Sequence, residues 1–301
     1  MPDRIMPPLP EPAEYRPYEA GEYRMVMGLT AVAMPDWLEF ADDYAAQMAE
    51  RRRLLAYHRE DVLACLPEAE EAARELLSVL VGHLCRYHPA WFGCDGRVLH
   101  NRLLDERVGL DSDHPLAIVG LLAQEDFCLN QWHEDGHRLT GAVLCFPTRW
   151  SLSEKLGKPF IRVHEHVPGY AERLGNPVER FFGSLKDDRL AQRLNWSVID
   201  DDALFQVGGK GRIDRDDGIS PENALRRLFL RVERQSFRRL TGSRAVAFGI
   251  RIHQTRLDRV AAPPGEAARL SAALRALPMD LARYKSVLRF GEALQGALLS
   301  L

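Results

Sequence analysis

The apolar positions Trp37, Phe40, Tyr44, Met48 and Leu55 recur near helical spacing and so share one face of a helix. Asp36, followed three residues later by Glu39, reads as a capping-box-like start, and Pro35 keeps the helix from beginning earlier. A second helix is expected from about Pro67, where Glu68, Glu70 and Glu71 suit the positive end of its dipole. Leu76, Leu77, Leu80, Val81 and Leu84 form its buried stripe, and it stops before Pro89. From about residue 97 the period changes. Segments near 125–131, 136–146, 193–200, 226–234 and 244–255 are short, rich in Val, Ile, Leu, Phe or Trp, and separated by turn residues. Hairpins are expected at Glu134-Asp135-Gly136 and at Thr241-Gly242-Ser243. An insertion over 150–192 carries two short helices, and the last 40 residues return to helix after Pro263-Pro264-Gly265. Helices, then mostly antiparallel strands, then helices make an α+β fold with no parallel βαβ alternation. Residues 1–24, rich in Pro, Glu and Tyr, read as an extended arm preceding one domain over 25–301.

Composition adds exclusions. The 301 residues are 46% hydrophobic, enough for a sizeable core, and carry 40 basic against 43 acidic side chains. A formal charge of −3 argues against coating nucleic acid or an anionic membrane by bulk electrostatics. No apolar run approaches the roughly 18–20 residues that span a bilayer, and the N-terminus lacks a signal-type run, so a cytoplasmic protein is expected. Cys65, Cys85, Cys94, Cys128 and Cys145 are scattered without a CxxC, which points to free thiols and against a cysteine zinc or iron–sulfur site. Within the balanced charge, 35 Arg stand against 5 Lys. Arg is the better residue for holding carboxylates in a planar fork. Gly-rich phosphate loops, the GxSxG elbow, HExxH and the dinucleotide fingerprint are all absent. The run Val207–Gly211 lacks P-loop spacing and reads as a flexible loop.

Four stretches could carry chemistry. In 145–170, His164 and His166 lie between Pro159 and Pro168-Gly169. If extended, their i, i+2 spacing puts both imidazoles on one face, where they could ligate haem iron, zinc, copper or non-haem iron. The bland reading is one buried polar histidine and one facing solvent. In 226–256, nine Arg alternate with apolar residues. There Ala245, Ala247, Gly249, Arg251 and His253 share one strand face, which suits a cavity wall for a large planar anion or, equally, a solvated face paired with Glu233 and Asp258. Glu125 and Asp126 are adjacent carboxylates that could manage protons, cap a turn or pair with the arginines. Trp196 could stack on a ring or fill the core.

Several of these segments, in order, resemble the haem-dependent oxidative N-demethylase α-subunit family. They are FPTRWSLSEKLGKPFIRVHEHVPGY, RLNWSVIDDDALF and LRVERQSFRRLTGSRAVAFGIRIH, with QEDFCLNQ and MGL…DWLEFADDYAAQM ahead of them. The resemblance covers about 25–260. It implies a PAS-like antiparallel sheet enclosing a non-covalent b-type haem, with N-terminal, inserted and C-terminal helices. It also implies O2-dependent demethylation of a small amine with formaldehyde release, electrons coming from separate flavin and iron–sulfur subunits. The family's histidine before Val-Pro-Gly-Tyr falls on His164, which becomes the axial ligand, with His166 second. Arg231, Arg234 and Arg251 match family arginines and, by charge, are expected to hold the haem propionates. Lys158 and Trp196 complete the expected cofactor contacts. Glu125 and Asp126 are the tentative catalytic acid–base pair. The chain departs from the family pattern at His253, usually an aromatic hydroxyl, and at Thr241-Gly242, usually Leu-Pro. Three other readings compete: a haem-based gas or redox sensor, a non-haem metal protein using His164 with His166, and a scaffold without cofactor.

Overall fold

A computed structural model describes residues 6–209 and 211–301; Lys210 of the Gly-rich run and the first five residues of the arm lie outside it. Among the described residues, ten strands form two antiparallel sheets. In chain order they are β1 (Thr30–Val32), β2 (Leu63–Cys65), β3 (Phe92–Asp95), β4 (Val98–Asn101) and β5 (Glu106–Gly109), then β6 (Asp126–His133), β7 (Gly136–Val143), β8 (Leu190–Ile199), β9 (Phe229–Arg239) and β10 (Val246–Arg256). The larger sheet has seven strands in the order β1-β8-β9-β10-β6-β7-β2, and β3-β4-β5 form a small second sheet. The architecture is α+β, as the periodicity implies. Both expected hairpins are present, joining β6 to β7 and β9 to β10. Gly136 at the first turn has φ +112°, a conformation that only glycine adopts without strain.

Alternation on β8, β9 and β10 divides the large sheet into two chemically distinct faces. In register, Gly249 sits opposite Ser236 and Arg251 opposite Arg234. This face packs against Trp37, Phe127 and the helix Tyr44–Tyr57. A Cβ on Gly249 would lie 2.6 Å from Ser236 Oγ and 3.1 Å from the Phe127 ring, so the close approach requires glycine. Further along the sheet, Val232 joins a second core with Tyr18 of the arm and the C-terminal helices Glu266–Arg275 and Gly291–Leu299. The opposite face carries Glu233, Gln235, Phe237, Phe248 and Ile250 and is covered by the insertion.

Three local expectations change. The first long helix starts at Tyr44, after a 3-10 turn over Met34–Trp37, and Glu39 forms no capping box. Its carboxylate is instead held by Arg234, His253 and Tyr15. β9 begins at Phe229 because Arg226 and Arg227 belong to a one-turn helix, Ala224–Arg227. Finally, Cys85 and Cys94 form a disulfide, which corrects the expectation of free thiols. The chain turns at Pro89 and runs back as β3, bringing the two Cα atoms to 6.3 Å, within disulfide range. Cys65, Cys128 and Cys145 are free. Among the described residues no helix is long and apolar enough to cross a membrane.

The helix Glu70–Tyr87 buries His83 edge-on to Trp37, with ring centroids 5.1 Å apart, and neither ring nitrogen has a hydrogen-bond partner. Burial therefore pushes its pKa from 6.5 down to about 3. Between those values the unfolded chain binds a proton that the native ring refuses, so stability falls as pH drops from 6.5 toward 3. Urea unfolding should show this decline, and His83→Phe should flatten it.

Candidate functional site

Between the covered sheet face and the insertion lies a cavity of about 290 Å³. It is near the lower end of the roughly 300–1,000 Å³ usual for ligand pockets. β8 contributes Arg193, Asn195 and Ser197 through strict alternation, and β9 contributes Glu233 and Gln235. The arm crosses the mouth in extended form, turning Tyr23, Met25 and Met27 inward. Lys285, from the C-terminal region, closes one end.

The insertion supplies His164. Pro159 is extended, but the chain then turns into a short helix, Phe160–Val163, whose C-cap is His164. Because the segment coils, the two histidines separate. His164 lines the cavity, whereas the His166 side chain is 86% exposed beside Glu165. They do not converge on one metal, which corrects the shared-face expectation. His164 Nδ1 lies 2.9 Å from the Phe160 carbonyl oxygen. A carbonyl only accepts, so Nδ1 carries a proton and is the donor in this bond. Gly169, at φ +73°, reverses the chain so that Tyr170 returns over His164, rings stacked at 4.2 Å and 12°.

Among the described residues the lining is electropositive: Arg149, Lys155, Arg193 and Lys285 stand against one carboxylate, Glu233. Arg149 pairs with Asp200, Lys155 lies 4.2 Å over the Trp150 ring, and Lys285 donates to the Trp196 carbonyl. Arg193 differs in that its buried Nε has no hydrogen-bond partner. Burial pulls its pKa below the usual guanidinium value, against the opposing pull of Glu233. The Tyr170 hydroxyl is likewise buried and unpartnered. Glu233 accepts from Thr148 Oγ1 at 2.5 Å, Gln235 Nε2 at 2.7 Å and Asn195 Nδ2 at 3.2 Å. Arg193, Lys155, Lys285, Glu233 and Tyr170 were missed by sequence reasoning. Only the alternation of Arg193, Asn195, Ser197 and Ile199 along β8 could have signalled one shared face.

The arginines chosen from the sequence are elsewhere. Arg234 donates to Gln192, to the carbonyls of Asp36 and Trp37, and pairs with Glu39 at 3.1 Å. Arg251 donates to Gln47 at 2.6 Å and pairs with Asp43 at 2.8 Å. The small-then-basic face of β10 is thus real, but it packs on the segment before the first long helix, while Phe248 and Ile250 of the other face wall the cavity. Arg231 is fully buried, and burial pulls its pKa down to about 10. It donates to Thr148, Gln254 and the carbonyls of Phe146 and Leu204, pinning two loops.

Glu125 and Asp126 also lie outside the cavity lining. Glu125 accepts from Glu39 N at 2.9 Å, and burial raises its pKa against the pull of Arg251. Asp126 pairs with Arg51 at 2.7 Å and accepts from the backbone N–H groups of Cys145 and Phe146, so its role is structural. Trp196 points to the C-terminal core, edge-on to Tyr18, and Lys158 is exposed outside the lining.

The two departures from the family pattern also fall outside the cavity. His253 bonds Glu39 at 2.9 Å, and Gly242 N, which proline would lack, donates to Glu75 at 2.7 Å.

Fold and site together define an α+β protein with one sheet face forming a cationic, histidine-bearing ligand cavity. The chain belongs to the family described as haem-dependent oxidative N-demethylase, alpha subunit-like, whose model matches residues 28–295.

Two substitutions test these assignments. Asp126→Ala strands the buried Arg51 charge and should cost about 3–5 kcal/mol in urea unfolding. Gly169→Ala has room for its methyl, the nearest atom being Arg173 Cδ at 3.7 Å, so only backbone strain remains. A loss of about 1–2 kcal/mol is expected in the same measurement.

Proposed function

We propose that the cavity holds a non-covalent b-type haem, enclosed by a PAS-like sheet, with His164 Nε2 as the axial ligand. The observation that carries this reading is the pairing of a cavity histidine, its Nδ1 committed to the Phe160 carbonyl, with a lining whose described residues include four cations. Haem is a planar dicarboxylate, and the unpartnered Arg193 Nε and Tyr170 hydroxyl are donors suited to carboxylate oxygens. These residues, with Lys155 and Lys285, replace Arg231, Arg234 and Arg251 as the propionate-holding set.

When bound, the haem supplies O2-dependent oxidation of a small amine's N-methyl group with release of formaldehyde. The protein's own part is positioning and exclusion. Phe160, Val163, Phe237 and Phe248 make the apolar wall that keeps water from the reacting centre. Glu233, which accepts from Thr148, Asn195 and Gln235 in the cavity wall, takes the acid–base and amine-binding role first given to Glu125 and Asp126. The family's description as an alpha subunit supports electron supply by other chains, which the resemblance makes separate flavin and iron–sulfur subunits.

Purified, haem-supplemented protein should show a Soret band that shifts with dithionite and CO. His164→Ala should abolish it and His166→Ala should retain it. Lack of haem uptake by the wild type sinks the proposal. Arg193→Leu should raise the rate of haem transfer to apomyoglobin about tenfold, the equivalent of one strong hydrogen bond of about 1.4 kcal/mol. Reduced protein with O2 and a panel of small N-methylamines should release formaldehyde. A haem protein that responds to CO but yields none would instead be a gas sensor.

A further inference from the structure

We infer that Tyr170 is a positioning residue for His164, holding the plane of the imidazole that the cavity presents; this rests on the reading of His164 as the axial ligand. The hydrogen bond from Nδ1 to the Phe160 carbonyl fixes one direction of the ring. By itself, one such bond still allows the ring to tilt about its own axis. Tyr170 removes that freedom, since two rings 12° from parallel with centroids at 4.2 Å are in van der Waals contact across their faces. Phe160 meets the imidazole edge-on, at 6.2 Å and 85°, and limits its sideways swing.

The local sequence is arranged to bring Tyr170 to this place. Val167 N donates to the His164 carbonyl at 2.9 Å, and Tyr170 N donates to the Val167 carbonyl at 3.1 Å, so the chain coils tightly away from the histidine. Gly169 in the left-handed region then folds it back. Tyr170 is itself 4% exposed and clamped, which makes it a fixed surface for the imidazole. Burial pushes its phenol above the usual range, so it stays neutral and adds no charge beside the ligand nitrogen. The unpartnered hydroxyl serves a separate purpose from the ring, as a donor into the cavity.

Two variants separate ring from hydroxyl. Tyr170→Phe keeps the stacked ring, whereas Tyr170→Leu removes it. The first measurement needs no haem: the His164 Cε1–H resonance of the apoprotein carries a ring-current shift from Tyr170. That shift should persist in Tyr170→Phe and vanish in Tyr170→Leu, with the remaining histidine resonances unchanged as the check on folding. The second uses haem-reconstituted protein. The low-spin ferric EPR spectrum of the azide adduct should be sharp and alike in wild type and Tyr170→Phe, but broadened or split in Tyr170→Leu. Haem transfer to apomyoglobin should be at least tenfold faster in Tyr170→Leu than in Tyr170→Phe, both of which lack the hydroxyl. A His164 shift unaffected by either substitution overturns the positioning role. An unchanged EPR spectrum and unchanged haem loss in Tyr170→Leu overturn it for the bound state. If the apoprotein shows the shift but the wild type takes up no haem, the cofactor reading fails while the ring contact stands.

Discussion

Arg234 and Arg251 face each other across β9 and β10, both almost wholly buried, and the rest of the molecule is organised around neutralising them. Two guanidiniums in adjacent register repel, and each has lost its hydration, so the arrangement is stable only with carboxylates brought in at close range. Those carboxylates, Glu39 and Asp43, come from the short segment ahead of the first long helix, with Glu125 buried alongside. Docking that segment commits one sheet face to structure. It also explains why Glu39 is taken from helix capping and why Arg234 and Arg251 are held by the protein's own groups.

With one face closed by this polar layer, the opposite face is left to the insertion. There the sheet offers an uneven wall, apolar along β10 and polar along β8 and β9. The insertion answers with an apolar half-helix that ends in His164. As the C-cap of that helix, His164 is held twice by one carbonyl, since the Phe160 oxygen accepts from its backbone N–H at 3.0 Å and from Nδ1 at 2.9 Å. The cavity is therefore the joint product of strand alternation, which sorts the polar residues to one wall, and of a coiled insertion, which presents one imidazole instead of two.

Legibility followed the range of the interactions. The helices Tyr44–Tyr57 and Glu70–Tyr87 and the five main strand segments were readable because their spacing reports only local burial. The short strands β1, β2 and the β3–β5 sheet were not, since three- or four-residue strands leave too brief a pattern to register. The partition of β10 into a small, basic face and an apolar face was correct from alternation alone. Which face met the cavity was not contained in it, because a period of two is symmetric between in and out. Trp196 went to the core for the same reason. The Cys85–Cys94 bond depended on β3 folding back on its helix, which spacing could not show.

The sequence by itself determined the α+β class, the two hairpins, the family and the candidacy of His164, each of which depends on local pattern or ordered motifs. Tertiary structure alone decided that His166 faces solvent, that Glu125 and Asp126 belong to the buried ionic layer, and that Arg193 enters the cavity. The physical reason is that a charged side chain goes wherever its desolvation is best compensated. That compensation comes from partners as distant in sequence as Glu39 is from Arg234. An abundance of arginine announced that carboxylates would be held, but only the folded chain determined which arginines met the protein's own and which lined the cavity.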